Sequence, residues 1–176
     1  MEEKSYKEYL QHITTFVFDV DGVLTDGTII ITTDGEMLRN MSIKDGYALK
    51  TAVDLGYNVC IISGGSNEGV RKRLRGLGVT DIHLGVHHKV DTLKEYLDVY
   101  GIKAEQVLYM GDDIPDLYVM QKVGLPTCPQ DAAPEIKAIS KYISHRKGGK
   151  GCVRDVIEQV LRVQGKWSVN PDAKMD

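Results

Sequence analysis

The sequence predicts a doubly wound α/β fold built on a parallel sheet. Short apolar runs alternate with amphipathic helical patterns along the 176 residues, as expected for repeated βα units. Glycine follows several of the helical patterns, and polar residues follow several of the apolar runs. Ligands bind such sheets outside the carboxyl ends of the strands, so the residues at those ends are the first candidates for function.

Composition limits the class of protein. With 42% hydrophobic and 27% charged residues and a net charge of -3, the chain fits one soluble globular domain. It has no basic bias that would favour nucleic acid as a partner. The polar start MEEKSYKEYL does not resemble a signal peptide, and no apolar run approaches ~18 residues. Three scattered cysteines without C-x-x-C spacing predict a reduced, cytoplasmic compartment.

A strand and a hairpin are the first predicted elements. The apolar run at residues 15–20 predicts a buried strand. The segment TIIITTDGEMLRN then contains two strand-like runs around Asp34-Gly35, a dipeptide that favours a tight hairpin turn. We expect this hairpin to occupy about residues 28–40.

A helix and a second strand follow the hairpin. Asp45 is predicted to cap the N-terminus of the helix YALKTAVDL, and Gly56 is predicted to end it. Residues 57–62 are predicted to form a second buried strand, which ends at Ser63-Gly64-Gly65.

The second half of the chain repeats this alternation. Further helices are predicted at residues 70–77, 91–101, from about 115, 134–140 and 153–165, and further strands at 79–85, 107–110, 125–127 and 142–144. The result is one domain over residues 1–165, followed by a tail at 166–176 without periodicity.

The predicted strand ends are rich in chemistry-bearing side chains. They carry Asp19 and Asp21 after the first strand, Ser63 after the second, Lys89 before a helix, and Asp112, Asp113 and Asp116 after a later strand. Two like charges 4 Å apart repel by about 4 kcal/mol at an effective dielectric constant near 20. One lysine cannot offset up to five carboxylates, whereas a divalent cation can. Hard oxygen ligands favour Mg²⁺.

These groups suit phosphoryl transfer. Asp19 can attack phosphorus and form an aspartyl-phosphate, and Asp21 can act as general acid and then as general base. Mg²⁺ held by Asp19 and Asp112 would screen the nucleophile from the phosphate dianion. Ser63, the neighbouring amides and Lys89 can stabilise the equatorial oxygens.

Each motif alone has a simpler interpretation. D-x-D-G and G-D-D are common in turns, and a single lysine is usually a solvated surface charge. The first motif is not an EF-hand, because the third ligand position and the terminal glutamate are missing. All the motifs together, each at a predicted strand or helix terminus, favour the functional interpretation.

The motifs DVDGVLTDG, Ser63, Lys89 and GDDIPD resemble, in order, the four signatures of the haloacid dehalogenase superfamily. The resemblance covers the whole chain and implies a Rossmann-like core. It implies Asp19 as nucleophile and Asp21 as acid and base, with Ser63 and Lys89 on the phosphate. Metal ligands would be Asp19, Asp112 and the backbone carbonyl of Asp21. Asp113 and Asp116 would orient metal-bound water or Lys89, and an acid at position 21 favours a phosphatase over a dehalogenase.

Most members of that superfamily cover the site with a cap domain, for which this chain has no room. Residues 26–45 hold only a hairpin and a turn, and residues 63–89 only one helix and one strand. A capless site must accept a macromolecule or be covered by a neighbouring subunit. The consecutive Ile29, Ile30 and Ile31 make the hairpin a candidate for contacts between subunits, although it could instead pack on its own domain.

The capless core, the hairpin, RKGGKGCVRD and QGKW resemble the 3-deoxy-D-manno-octulosonate 8-phosphate phosphatases. This resemblance implies a Mg²⁺-dependent homotetramer that acts on a small sugar phosphate in lipopolysaccharide synthesis, with no nucleic acid or membrane partner. Hairpins would meet at its centre, and each C-terminal tail would approach a neighbour's site. Candidate substrate-binding or tail-contact residues are Thr25, Asp45, Gly64, Gly65, Arg71, Arg73 and Lys147.

Three other functions remain open on the sequence alone. Gly65 stands where some relatives carry a longer side chain, so a phosphatase for nine-carbon sugar acid 9-phosphates is one alternative. A capless phosphatase acting on a macromolecule is another. A catalytically silent assembly module is the third, and the intact acid and lysine set argues against it.

Overall fold

A computed structural model describes residues 5–172, which form a parallel six-stranded sheet and a separate two-stranded hairpin. The strands are β1 (Thr15–Phe18), β2 (Ile30–Ile31), β3 (Met37–Leu38), β4 (Asn58–Ile62), β5 (Asp81–His83), β6 (Val107–Met110), β7 (Leu125–Cys128) and β8 (Tyr142–Ile143). The order in the main sheet is β5-β4-β1-β6-β7-β8, with every neighbouring pair parallel. The central strand β1 therefore lies between β4 and β6, and its carboxyl end is the switch point of the sheet.

Over residues 5–172, seven α-helices cover the two faces of the sheet. They are α1 (Tyr6–Leu10), α2 (Ile43–Asp54), α3 (Glu68–Gly76), α4 (Lys89–Tyr100), α5 (Leu117–Met120), α6 (Pro134–Ile139) and α7 (Cys152–Val163). Residues of α1, α2, α3 and α7 share one apolar cluster, and residues of α4, α5 and α6 share the other. This three-layer arrangement confirms the predicted fold class.

Strand β1 shows why both faces need cover. Phe16 and Phe18 point into one cluster and Val17 into the other, and all three side chains are fully buried. A strand that is apolar at consecutive positions must be buried on both faces. The strand therefore has no solvent-exposed side, which fixes it at the centre of the sheet.

Some predicted boundaries were wrong. Helix α2 begins at Ile43 with Ser42 as its N-cap, whose side chain accepts a hydrogen bond from the Asp45 amide at 3.4 Å, so Asp45 is not the cap of this helix. Strand β1 ends at Phe18 rather than residue 20, because the chain turns at Asp19 and reaches a positive φ of 85° at Gly22. Helix α1 was not predicted at all.

The predicted hairpin is present, with Gly35 at a φ of 82° in its turn. Its strands pair only with each other, and the side chains of Ile30 and Ile31 are 59% and 66% exposed. Over residues 5–172 the segments 26–45 and 63–89 contain no cap domain. Within that same range, no helix is both long and apolar enough to cross a bilayer.

Candidate active site

A pocket of about 370 Å³ opens at the carboxyl ends of β1, β4 and β6. It is lined by Asp19, Asp21, Gly27, Ser63, Gly64, Gly65, Val86, His87, Lys89, Asp112, Asp113 and Pro115. This volume falls in the usual range for sites that bind small molecules. The parallel sheet thus brings side chains from four separate stretches of the sequence into one cavity.

The loop after β1 approaches Asp112 closely because residue 22 is glycine. A Cβ at Gly22 would lie 1.8 Å from Asp112 Oδ2, so any side chain there would displace that carboxylate. The Thr25 hydroxyl accepts hydrogen bonds from the Gly22 and Gly27 amides, each at 3.2 Å, and is fully buried. Thr25 therefore shapes the loop and does not line the pocket.

Lys89 is the cation of the site. Its Nζ lies 3.0 Å from Asp19 Oδ2 and 2.7 Å from Asp116 Oδ1, and its side chain is 6% exposed. Burial acts to lower the pKa of Lys89, but the charges of Asp19 and Asp116 outweigh it, so that this pKa is raised. The lysine remains an ammonium group that bridges two carboxylates.

Asp116 is fully committed to its neighbours. Its Oδ1 also accepts a hydrogen bond from the Tyr109 hydroxyl at 2.9 Å, and its Oδ2 accepts one from the Asp112 amide at 3.2 Å. Both oxygens are thereby used, and the residue is buried. Asp116 holds Lys89 and the Asp112 backbone in place.

Two acids lack enough positive charge around them. Burial, then the charge of Asp116, raises the pKa of Asp19 well above its usual range, and Lys89 only partly offsets this. Burial, then the charges of Asp19 and Asp116, raises the pKa of Asp112 to about 8. Both shifts reflect a cluster in which lysine alone does not balance the carboxylates.

This donor set fits a divalent cation. Ligand oxygens of Asp19, Asp112 and Asp116 all lie within 4.8 Å of one another. Among the described residues, no donor lies within hydrogen-bond distance of the buried Asp112 Oδ1. Since Asp116 is occupied by Lys89 and Tyr109, Asp19 and Asp112 are the side chains that would hold the ion. Hard carboxylate oxygens in this number suit Mg²⁺.

Asp21 points into the pocket from the same loop and pairs with an arginine of the hairpin. Arg39 Nε lies 2.7 Å from Asp21 Oδ1, and Arg39 Nη2 lies 3.2 Å from Asp21 Oδ2. The hydrogen bond with Asp21 raises the pKa of Arg39. The Asp21 side chain is 39% exposed, so it remains accessible from the pocket.

The turn after β4 forms the opposite wall of the pocket. The buried Ser63 hydroxyl accepts a hydrogen bond from the Gly65 amide at 3.3 Å. Gly64 and Gly65 expose backbone to the cavity, since neither has a side chain. Hydroxyl and amide donors on one wall can bind anionic oxygens.

Other predicted substrate contacts lie outside the pocket. Asp45 is 1% exposed, and its Oδ1 accepts a hydrogen bond from the Arg154 amide at 2.8 Å at the N-terminus of α7. The assignment of Asp45 to the substrate is therefore corrected: it joins α2 to α7. Arg71 binds Glu68 and the Ile82 carbonyl, the Arg73 side chain lies beside Gly46 of α2, and Lys147 is exposed away from the cavity.

Sequence reasoning missed Arg39 and His87. His87 lines the pocket two residues before Lys89, and its position next to a predicted site lysine could have identified it. Arg39 has no comparable signal, because its contact with Asp21 depends on how the hairpin folds back over the sheet.

A larger cleft of about 470 Å³ runs along α7. Its acids are engaged in ion pairs or hydrogen bonds: Glu158 with Arg154 and Arg162, and Asp155 with Ser144. Such compensated charges do not form a reactive cluster, so the smaller pocket is the candidate active site.

Comparisons with known proteins agree with this geometry. Residues 79–155 match the family of haloacid dehalogenase-like hydrolases. The chain is 36% identical over 156 residues to 3-deoxy-D-manno-octulosonate 8-phosphate phosphatase KdsC of Salmonella typhi, covering 89% of this chain and 83% of that protein. The phosphatase of the same name from Yersinia pestis superposes with a TM-score of 0.90 at 33% identity, covering 93% of this chain and 88% of that one. The one from Moraxella catarrhalis, solved with magnesium, phosphate and KDO, gives a TM-score of 0.88 at 32% identity, with 91% and 92% coverage.

Proposed function

This chain belongs to the family of 3-deoxy-D-manno-octulosonate 8-phosphate phosphatases, which are haloacid dehalogenase-like hydrolases, and from this membership we propose that it hydrolyses 3-deoxy-D-manno-octulosonate 8-phosphate. It is a phosphoric monoester hydrolase, and its cofactor is Mg²⁺. The products would be phosphate and the sugar acid used for lipopolysaccharide. The observation that carries the choice of substrate is the 36% identity to KdsC over 89% of this chain. The cluster in which Lys89 bridges Asp19 and Asp116 beside Asp112 supports the phosphoryl transfer itself.

The first chemical step is assigned to Asp19 and Asp21. A carboxylate oxygen of Asp19 attacks phosphorus, and the bond from phosphorus to the sugar oxygen breaks. Asp21 gives its proton to that departing oxygen, which leaves as the alcohol. The enzyme then carries an aspartyl-phosphate on Asp19.

The second step regenerates the enzyme. Asp21, now ionised, takes a proton from a water molecule, and the hydroxide attacks phosphorus so that the bond to Asp19 breaks. Lys89, the Ser63 hydroxyl and the Gly64 amide bind the phosphoryl oxygens in both steps. Asp19, Asp112 and the Asp21 carbonyl would hold a Mg²⁺, which would supply positive charge beside those oxygens. Asp116 holds Lys89 in place, and Asp113 lines the pocket, where it would orient metal-bound water.

We also propose that the chain is a cytoplasmic homotetramer in which hairpins meet and C-terminal tails contact neighbouring subunits. The exposed apolar side chains of Ile30, Ile31, Met37 and Leu38 support the hairpin contact. Trp167 in the tail lies against Tyr47, with ring centroids 6.1 Å apart. The contact between Trp167 and Tyr47 would fix the start of the tail. We propose that residues 1–165, before the tail, act as one domain.

A panel of phosphate esters tests the proposed substrate. With Mg²⁺, we expect the eight-carbon 8-phosphate to give the highest kcat/KM, above the nine-carbon sugar acid 9-phosphate and a simple alkyl phosphate. The nine-carbon ester is the second candidate, because Gly65 has no side chain to limit the pocket mouth. Turnover of both sugar acid esters no faster than of the simple ester would refute the proposed function.

A further inference from the structure

The hairpin delivers one side chain into the active site. Arg39 follows β3, and its side chain is only 10% exposed although the strand before it is exposed. Its guanidinium binds both oxygens of Asp21 in the bidentate geometry that makes arginine–carboxylate pairs specific. Arg39 therefore fixes the direction of the Asp21 carboxylate.

Gly65 makes room for this contact. A Cβ at position 65 would lie 3.1 Å from Asp21 Oδ2 and 3.5 Å from Arg39 Nη2. Both groups therefore lie over the glycine, and the guanidinium reaches Asp21 across the wall that is assigned to phosphate binding. A longer side chain at position 65 would compete with Arg39 for the same space.

The hairpin has a second anchor that does not involve Asp21. Asn67 Nδ2 donates a hydrogen bond to the Met37 carbonyl at 3.0 Å, and Arg39 Nη1 donates to the same carbonyl at 3.2 Å. Holding the hairpin in place and orienting Asp21 are thus two separable roles of this region. Asn67 serves only the first.

We propose that Arg39 is a positioning residue for the acid step, which orients Asp21 toward the departing oxygen. This inference rests on the proposed function, because it takes Asp21 as the general acid. General acid catalysis contributes roughly 10²–10⁴-fold to a rate. A misdirected Asp21 should lose part of that factor. In kcat/KM, which reports only the steps up to departure of the leaving group, the loss should be confined to substrates whose leaving oxygen needs a proton.

Leaving-group dependence gives the test. The leaving group of a simple alkyl phosphate is a strongly basic alkoxide, which needs a proton as it departs. The leaving group of p-nitrophenyl phosphate is a weakly basic phenolate, which needs none. We expect Arg39→Met to lower kcat/KM for the alkyl ester by at least roughly tenfold and for the aryl ester by less than about threefold. Arg39→Lys, which keeps the charge without the bidentate geometry, should fall between Arg39→Met and wild type.

Two controls separate positioning from general structure. Asn67→Ser keeps a side chain that can cap α3 but removes the amide donor to the Met37 carbonyl. Arg162→Met removes a surface ion pair in which two guanidinium nitrogens contact one oxygen of Glu158 on α7. Neither should change the alkyl-to-aryl ratio. Adding Arg39→Met to Asp21→Asn should cause no further loss on the alkyl ester, because the group that Arg39 orients can no longer donate its proton.

Equal losses in kcat/KM on both esters, or an alkyl-to-aryl ratio of kcat/KM changed as much by Asn67→Ser as by Arg39→Met, would overturn the positioning role. The positioning role is judged by comparing the alkyl-to-aryl ratio of each variant with that of wild type on simple esters. The substrate proposal is instead judged on wild type alone, from its preference for the sugar acid ester, so the two can fail separately.

Discussion

Charge compensation at single residues explains most of the candidate site. Asp19 is 8% exposed, and the only cation that it contacts among the described residues is Lys89. A buried carboxylate is costly unless it is paired, and Lys89 is shared with Asp116. The remaining imbalance falls on Asp112, which is why we assign the ion to Asp19 and Asp112.

Asp45, which lies outside the pocket, shows the same free-energy cost of burying a carboxylate. Burial raises its pKa from 3.8 to about 6, although the Arg154, Gly151 and Val153 amides act against this. A raised pKa means that the folded state binds the proton more tightly than the unfolded state does. The contribution of Asp45 to stability is therefore greatest below pH 3.8 and falls as pH rises to about 6.

Substitution of Asp45 tests this cost. A difference of 6 minus 3.8 pKa units corresponds to about 3 kcal/mol. The free energy of unfolding of wild type relative to Asp45→Asn should thus fall by about that amount between pH 3.5 and pH 7. Urea unfolding of both proteins across this range measures the difference, in which the other carboxylates cancel. A difference that stays constant or rises with pH would contradict the assignment.

At the scale of elements, the β2–β3 hairpin combines two roles. Both faces present apolar side chains to solvent, and the end of the hairpin carries Arg39 into the pocket. A two-stranded ribbon is marginally stable by itself, so contacts at both ends matter for its placement. If subunits associate through the hairpins, assembly and the orientation of Asp21 become linked.

A charge on the hairpin should weaken assembly. Ile31 is 66% exposed in the single chain, and burial of an isoleucine side chain contributes about 1.5–3 kcal/mol. Ile31→Glu should therefore weaken association by at least roughly tenfold, visible as a smaller mass by light scattering. Val99→Glu on α4, where Val99 is 73% exposed, is the matched control and should leave the mass unchanged. The same mass for Ile31→Glu and wild type would remove the hairpin from the interface.

At the scale of the whole molecule, the sheet order assembles the site. Strands β1, β4 and β6 are adjacent in the sheet although β4 and β6 lie far along the chain, so their polar ends converge. One metal ion bound by this cluster would therefore connect parts of the chain that come together only in the folded state. Asp19 from the first half of the chain and Asp112 from the second half contribute carboxylate oxygens to the same candidate metal site.

Magnesium should stabilise the whole fold. An ion that binds only the folded state at 100 times its Kd adds about 2.7 kcal/mol, or ~5–10 °C in Tm for a chain of this size. Thermal unfolding of metal-free protein with and without Mg²⁺ measures this shift. Asp112→Asn should abolish it, whereas the exposed Asp98→Asn on α4 should preserve it. A shift that survives Asp112→Asn would exclude Asp112 as a ligand.

The architecture could be predicted from the sequence because the end of each strand is marked locally, by an apolar run followed by polar residues. Asp19, Ser63 and Asp112 each follow an apolar run, and the parallel sheet brings such ends together. Asp45 and Arg39 were not predictable in the same way. The burial of Asp45 depends on α7 packing against α2, and the Arg39 contact depends on the fold-back of the hairpin. Both are long-range contacts that no local pattern encodes.

Asp19 is proposed to carry the phosphoryl group, and single-turnover labelling can detect this intermediate. Wild type is mixed with Mg²⁺ and ³²P-labelled 3-deoxy-D-manno-octulosonate 8-phosphate, then quenched in acid within one turnover. We expect protein-bound label that hydroxylamine releases, as for an acyl phosphate, and that maps to the peptide containing Asp19. Asp19→Asn should keep its fold and show neither label nor turnover. Complete turnover by wild type without bound label, together with activity retained in Asp19→Asn, would exclude Asp19 as the nucleophile.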